Sequence, residues 1–164
     1  MSKTTDNLKA AFAGESQANR KYLAFAKKAE DEGLPQVAKL FRAAAEAETI
    51  HAHAHLRLLK GIGSTAENLK EAEAGETYEF KSMYPAMIED TKAEGENAAG
   101  RYFEFANKAE ECHANLYAKA ASKMGALDVV DYYICSVCGH IHEGQPSDKC
   151  PICGAAAKAY YVVG

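Results

Sequence analysis

The sequence contains no tryptophan, only four prolines, and no apolar run that approaches the roughly 18 residues of a membrane span. Neither sign of charge dominates, since 19 Lys and Arg stand against 23 Asp and Glu, for a net charge of −4. A nucleic-acid-binding protein needs a basic face for phosphates. We therefore expect neither nucleic acid nor a membrane among the partners.

The N-terminal residues also lack a secretory signal. Residues 1–7 read Met-Ser-Lys-Thr-Thr-Asp-Asn and include no apolar stretch. We therefore expect the reducing cytoplasm, where paired cysteines are more often metal ligands than disulfides. The 164 residues, 48% of them hydrophobic, suit one domain with a small additional module.

Residues 1 to about 125 are rich in Ala, Glu, Lys and Leu, which are strong helix formers. Glycines, prolines and periodicity divide this part into predicted helices over residues 5–32, 35–60, 66–94 and 96–124. Pro35 suits the first turn of the second helix, whereas Pro85 should kink or split the third. Long helices with short connections predict an antiparallel four-helix bundle over residues 1–126.

The two halves of the helical region repeat the same pair of motifs. An Ala-Gly-Glu motif recurs 61 residues later, and a Glu-x-x-His motif recurs 62 residues later. The residues concerned are Glu15, Glu48 and His51 in the first half and Glu76, Glu110 and His113 in the second. Each lies on a helical stripe that should face the core and be apolar.

Converging buried carboxylates are costly unless they are protonated, paired or bound to metal. Residues at i and i+3 share a helix face, so each Glu-x-x-His aims both side chains at one point. The repeated pattern predicts two metal ions in the bundle core, and oxygen-rich ligands with imidazole suit iron or manganese. Glu79 is a seventh candidate ligand, three residues after Glu76. Tyr22 and Tyr84, which follow the two Ala-Gly-Glu motifs, are either partners of the carboxylates or core aromatics.

The last 30 residues carry a second predicted metal site. Two Cys-x-x-Cys pairs, eleven residues apart, supply Cys135, Cys138, Cys150 and Cys153. Gly139 and Gly154 follow the pairs, where positive φ lets backbone N–H groups approach the sulfurs. Four thiolates accept either Zn²⁺ or a single iron, and the metal must contribute the folding energy of so small a module. His140 and His142 are predicted to be surface residues.

Taken together, these motifs resemble the rubrerythrin family. The resemblance rests on Gly14-Glu15-Ser16-Gln17-Ala18 with Tyr22, Glu48-x-x-His51, Gly75-Glu76-x-x-Glu79 with Met83-Tyr84-Pro85, Glu110-x-x-His113 and the two CxxCG motifs. It implies a ferritin-like bundle with a non-haem di-iron site. It further implies a mostly β/loop rubredoxin-like Fe(Cys)₄ domain over residues 132–164, after a linker at 127–131.

The resemblance also implies a role for each ligand. Glu48 and Glu110 would bridge the two irons, and Glu15 would be a terminal ligand of one of them. Glu76 and His113 would hold the other iron.

His51 and Glu79 resemble the pair that exchanges on the first iron, while the hydroxyls of Tyr22 and Tyr84 are candidate proton donors. The family's activity implies reduction of hydrogen peroxide to water, with electrons from NAD(P)H through a reductase or a separate rubredoxin. It also implies a homodimer in which the Fe(Cys)₄ of one subunit serves the di-iron site of the other.

Two other functions remain open at this stage. Ferritin-like bundles share these ligands with ferroxidases and iron-storage proteins, although storage needs no attached electron donor. A non-catalytic helical protein stabilised by a zinc ribbon is the second alternative.

Overall fold

The structure is a computed structural model that describes residues 2–163. The chain divides between Gly63 and Ser64 into two compact units. The boundary between the units lies inside residues 1–126, the segment that the sequence predicts as one bundle. The C-terminal module packs on the second pair of helices and so belongs to the second unit.

The first unit is a helical hairpin of α1 (Lys3–Asp31) and α2 (Pro35–Leu58). Ser2 caps α1 by accepting a hydrogen bond from the Thr5 amide, and Pro35 lies in the first turn of α2, as predicted. The buried positions are all small: Ala26, Ala29, Ala38, Ala45 and Ala52. Alanines at these positions let the two helices approach closely.

A polar contact fixes the register of this hairpin. The amide nitrogen of Asn19 on α1 donates hydrogen bonds to the Ala45 carbonyl, at 2.8 Å, and to the Thr49 hydroxyl, at 2.9 Å, both on α2. Because Asn19 lies one turn after Glu15 and Thr49 directly follows Glu48, this contact holds the two glutamates at the same level.

The second unit begins with α3 (Thr65–Tyr78), a π-helical turn (Glu79–Met83) and α4 (Tyr84–Glu94), and continues with α5 (Asn97–Ser122). Ser64 and Glu67 form a capping box at the start of α3. Gly95, with φ of 77°, ends α4 in the left-handed conformation.

The predicted break at Pro85 takes the form of the π-helical turn. The Tyr84 amide bonds to the carbonyl of Glu79, five residues back, and Pro85 then occupies the first turn of α4, where its missing N–H costs least. One extra residue in a turn changes the face that following side chains present by about 100°. The chain therefore stays helical through Pro85, but from Glu79 onward the side chains lie on a different face of the helix.

The C-terminal module is a three-stranded antiparallel sheet in the order β2-β1-β3, formed by β1 (Tyr132–Cys135), β2 (Ile141–Glu143) and β3 (Tyr160–Val163). It packs on α5 within the second unit. The Lys119 ammonium lies 2.6 Å from a Glu143 carboxylate oxygen, and the Cys112 thiol donates to the Ile141 carbonyl at 3.5 Å.

The fold class predicted from the sequence is confirmed: long helices are followed by a small sheet-and-loop module with a four-cysteine cluster. The observed helices begin and end within a few residues of the predicted bounds. Over residues 2–163, no helix combines the length and the apolar character that a membrane span requires.

Gly100 provides a test of the packing between α4 and α5. A Cβ there would lie 2.7 Å from the Thr91 hydroxyl, which is buried and bonded to the Ile88 carbonyl, so it could move only by losing that bond. Overpacking of this kind costs about 1–3 kcal/mol. Gly75→Ala, with nothing near its added Cβ, should instead gain up to about 1 kcal/mol of helix propensity.

We therefore expect Gly100→Ala to unfold at lower urea concentration than Gly75→Ala, measured by far-UV circular dichroism. Equal midpoints for the two variants would show that α4 and α5 do not pack as closely as described.

Candidate metal centres

The first cluster of candidate ligands lies in the helical hairpin of the first unit. Single ligand atoms of Glu15, Glu48 and His51 all lie within 4.8 Å of one another. The His51 Nδ1 is 2.9 Å from a Glu48 oxygen and 3.9 Å from a Glu15 oxygen. The His51 side chain is 56% exposed, so this cluster is open to incoming ions and small molecules.

The second cluster repeats this arrangement in the second unit with Glu76, Glu110 and His113. The His113 Nδ1 lies 2.6 Å from a Glu110 oxygen and 3.6 Å from a Glu76 oxygen. All three side chains are at most 23% exposed, in contrast to the open imidazole of the first cluster. The structure thus brings together the three residues of each sequence repeat within one unit.

The second cluster holds two neighbouring carboxylates and one histidine, so its negative charge exceeds its positive charge. Burial, a hydrogen bond with Glu110 and the charge of Glu110 raise the pKa of Glu76 to about 7. Burial alone would raise the pKa of Glu110, but the hydrogen bond from His113 holds it below the usual range. Although burial opposes it, the bond with Glu110 raises the pKa of His113. Two clustered carboxylates that share a proton are the donor set into which a multivalent cation fits.

The two ring nitrogens of His113 have different hydrogen-bond partners. Nε2 lies 3.0 Å from the Gly139 carbonyl, which can only accept, so Nε2 carries the proton and donates. Without a metal, Nδ1 also carries a proton and donates to Glu110; loss of that proton would leave its lone pair facing the carboxylates and a cation held among them. An imidazole oriented by a carbonyl on its far nitrogen is the usual arrangement for a metal-binding histidine, so these residues fit a metal.

The remaining candidates of the helical region lie in different surroundings. Burial and the charge of Glu110 raise the pKa of Glu79, and burial and the charges of Glu110 and Glu79 raise the pKa of Tyr84. Both residues therefore share the electrostatic environment of the second cluster. Tyr22 packs its ring 6.3 Å from Phe25 and 6.2 Å from Phe41, within an aromatic group of the first unit.

The four cysteines of the C-terminal module form a third cluster. The sulfurs of Cys135 and Cys153 are 3.7 Å apart, and those of Cys138 and Cys150 are 3.5 Å apart. A disulfide would bring two sulfurs to about 2.0 Å, whereas thiolates on a tetrahedral metal with bonds of about 2.3 Å lie about 3.8 Å apart. The spacing fits a single metal ion held by all four.

Backbone geometry prepares this cluster for thiolates. Gly139 and Gly154 have φ of 79° and 75°, which confirms the left-handed turn predicted after each pair. Although burial opposes it, amide hydrogen bonds from Cys153 and Ile152 and the Tyr160 hydroxyl lower the pKa of Cys150 to about 6. One thiolate is thus already favoured before a metal binds.

The prediction for the two histidines after the second cysteine is wrong. His140 is buried, at 9% exposed, and His142 is half-buried on β2. Both rings pack edge-on against Tyr160, with centroids 6.0 and 6.2 Å away. His140 lies between the CxxCG sequence and the short strand β2, and this position turns its side chain inward. The composition of the segment did not indicate that burial.

Comparison with known proteins agrees with these clusters. The family model for rubrerythrin matches residues 6–121, and the model for the rubrerythrin rubredoxin-like domain matches residues 133–161. The chain is 40% identical to nigerythrin of Nitratidesulfovibrio vulgaris, over 92% of this chain and 81% of the relative. It is 35% identical to rubrerythrin of Porphyromonas gingivalis, over 98% and 89%.

The same likeness is seen among solved structures. Nigerythrin in a partially reduced state superimposes with a TM-score of 0.61 at 37% identity, covering 99% of this chain and 88% of that chain. Its fully reduced, all-ferrous state gives a TM-score of 0.60. Nigerythrin, in that all-ferrous state, holds iron. The two family models and the relatives show that this chain, with its carboxylate-and-histidine clusters and its four-cysteine cluster, belongs to the rubrerythrin family of oxidoreductases.

Proposed function

We propose that this protein reduces hydrogen peroxide to water at a di-iron site, with electrons relayed through its own four-cysteine iron site. The observation that carries the proposal is the double contact of His113. One ring nitrogen lies 2.6 Å from Glu110 in the carboxylate cluster, and the other lies 3.0 Å from the carbonyl of Gly139, the residue after Cys138.

This imidazole connects the two kinds of metal cluster by a short route. The route consists of the Cys138 side chain, the peptide bond to Gly139, one hydrogen bond and the imidazole ring. It lies within a single chain, whereas the family resemblance implies transfer from the Fe(Cys)₄ of one subunit to the di-iron site of the other. A dedicated one-electron site of this kind is what a repeatedly reduced centre requires and a storage protein does not.

Iron bound at these residues would supply the two electrons that peroxide reduction consumes. By the family resemblance, Glu48 and Glu110 would hold both irons, Glu15 would hold one of them, and Glu76 with His113 would hold the other. The carboxylates hold the metal charge in a partly desolvated site. Burial and the charge of Glu110 raise the pKa of Tyr84, so its phenol stays protonated and is proposed as a hydrogen-bond donor near Glu110.

Tyr22 is proposed as a second proton donor, on the basis of its position seven residues after Glu15. The proposed electron source is NAD(P)H through a reductase or a separate rubredoxin, in the cytoplasm, where the thiols of the module stay reduced. A homodimer is also proposed. Leu40, Ile50 and Leu58, which are at least 66% exposed along α2, support a further interface.

The proposed reaction is tested by comparing how fast peroxide and O₂ oxidise the reduced protein. The protein reduced under anaerobic conditions should be oxidised at least tenfold faster by peroxide than by an equal concentration of O₂. We expect this because two ferrous ions supply the two electrons that peroxide needs, whereas O₂ needs four to reach water. Stopped-flow absorbance of the two iron sites measures both rates. Faster oxidation by O₂ would favour a ferroxidase instead.

The relay is tested by removing one thiolate. Cys153→Ser should lose the visible absorption of the four-cysteine iron and nearly all steady-state peroxide turnover with an external reductase. A single turnover of the chemically reduced protein should survive, because the carboxylate ligands remain. Cys112→Ser, which lies outside the four-cysteine cluster, is the matched control and should keep both activities. Normal steady-state turnover in Cys153→Ser would show that electrons bypass the module.

The ligand exchange is tested at Glu79. Four carboxylates balance a diferrous pair, whereas the diferric pair carries two more positive charges in a partly buried site, where imbalance is costly. We propose that Glu79 supplies the fifth carboxylate when the site is oxidised and that His51 replaces it on reduction. Glu79→Gln should bind two ferrous ions normally, yet its diferric state should form less completely and its turnover should fall about tenfold or more.

The control for this test is Glu111→Gln, an exposed carboxylate on α5 that should leave turnover unchanged. Crystals of the wild-type protein in both redox states would decide the exchange directly. The same ligand set in both crystals would refute it.

A further inference from the structure

We propose that the Tyr160 hydroxyl donates a hydrogen bond to the Cys150 sulfur and thereby raises the reduction potential of the four-cysteine iron site, with His140 fixing the direction of that hydroxyl. Tyr160 is a positioning residue in this role, because it acts on the metal through its ligand. The inference is independent of what the di-iron site reduces.

Strand pairing places Tyr160 beside the cysteines. It is the first residue of β3 and lies opposite Cys135 on β1. Its side chain packs against the buried sulfur cluster, and burial and the neighbouring Cys150 sulfur raise the pKa of its hydroxyl. The next residue, Tyr161, points away from the cluster and is 54% exposed.

His140 holds the same hydroxyl from the other side. Its Nδ1 lies 2.7 Å from the Tyr160 oxygen, and its ring is buried edge-on against the phenol, at an interplanar angle of 81°. The imidazole is thus fixed by burial and packing, and it holds the Tyr160 oxygen beside the sulfur cluster.

The chemistry of these partners determines the direction of both hydrogen bonds. A metal-bound cysteine is a thiolate, which has no proton and can only accept. The phenol has a single proton, so that proton must point at Cys150. The Tyr160 oxygen then accepts from His140, whose Nδ1 must carry a proton whether the ring is neutral or charged.

A hydrogen bond aimed at a thiolate favours the reduced state of its metal. A ferric ion with four thiolates carries a net charge of −1, and uptake of one electron makes it ferrous with a net charge of −2. A donor beside the sulfur stabilises the more negative state more strongly, and hydrogen bonds to sulfur are a recognised control of iron–sulfur potentials. Although burial opposes it, the amides of Cys153 and Ile152 also lower the pKa of Cys150, and the proposed Tyr160 bond would act together with them.

The experiment is a spectroelectrochemical titration of the iron-loaded full chain, followed by the visible absorption of the oxidised four-cysteine site. Tyr160→Phe should lower the reduction equilibrium constant about tenfold, which for one electron is a shift of about −59 mV. Tyr161→Phe is the matched control on the same strand and should titrate with the wild type.

Two variants of His140 test the orientation of the hydroxyl. His140→Asn keeps a donor near the position of Nδ1 and should titrate near the wild type. His140→Phe keeps a planar ring but removes the donor, so the hydroxyl can turn away from the sulfur and the potential should fall. A purely structural role for His140 would move both variants alike.

A potential for Tyr160→Phe equal to that of Tyr161→Phe, at the same iron content and with the same circular dichroism, would overturn the proposal. If Tyr160→Phe fails to hold iron, the His140 pair decides the matter. Different potentials for Asn and Phe at position 140 would support the hydrogen bond, and equal potentials would overturn it.

Discussion

Carboxylates gathered in a partly buried space are the constraint on which the helical part of this protein depends. Glu76 and Glu110 share a hydrogen bond and therefore a proton, and Glu79 adds a further acidic group to the same environment. Without a compensating cation, two such groups cannot both ionise cheaply. A multivalent cation would remove this cost, which is why these residues fit a metal site.

The C-terminal module depends on metal in a different way. Its three strands bury little besides cysteine sulfur, so most of its stability comes from the ion that the four thiolates hold. It is nevertheless fixed in position on α5. The ion pair of Lys119 with Glu143, the Cys112 thiol and the His113 imidazole each contact it from that helix. The module is therefore attached beside the cluster of Glu76, Glu110 and His113.

The same imidazole serves structure and chemistry at once. His113 is oriented by a carbonyl that belongs to the turn after Cys138, so the folding of the cysteine module determines which ring nitrogen faces the carboxylates. The module and the second carboxylate cluster are therefore joined through this one imidazole.

Much of this organisation follows from sequence spacing alone. The helices, the internal repeat, the six residues of the two carboxylate clusters and the four cysteines are local patterns, since helical periodicity and the CxxC turn are set by neighbouring residues. The family and its iron cofactors were predicted on the same residues and are confirmed by the comparisons. The separate roles of Glu79, Tyr22 and Tyr84 remain predictions.

The sequence by itself determined which candidate ligands are present and which of them lie three residues apart, on one face of a helix. The tertiary structure decided the form of the break before Pro85, the burial of His140, the hydroxyl of Tyr160 beside Cys150, and the bond from His113 to Gly139. Except for the break before Pro85, each of these depends on elements far apart in the chain, such as His113 and Gly139, which are 26 positions apart. Local propensity cannot specify such contacts, because packing and strand register alone bring the partners together.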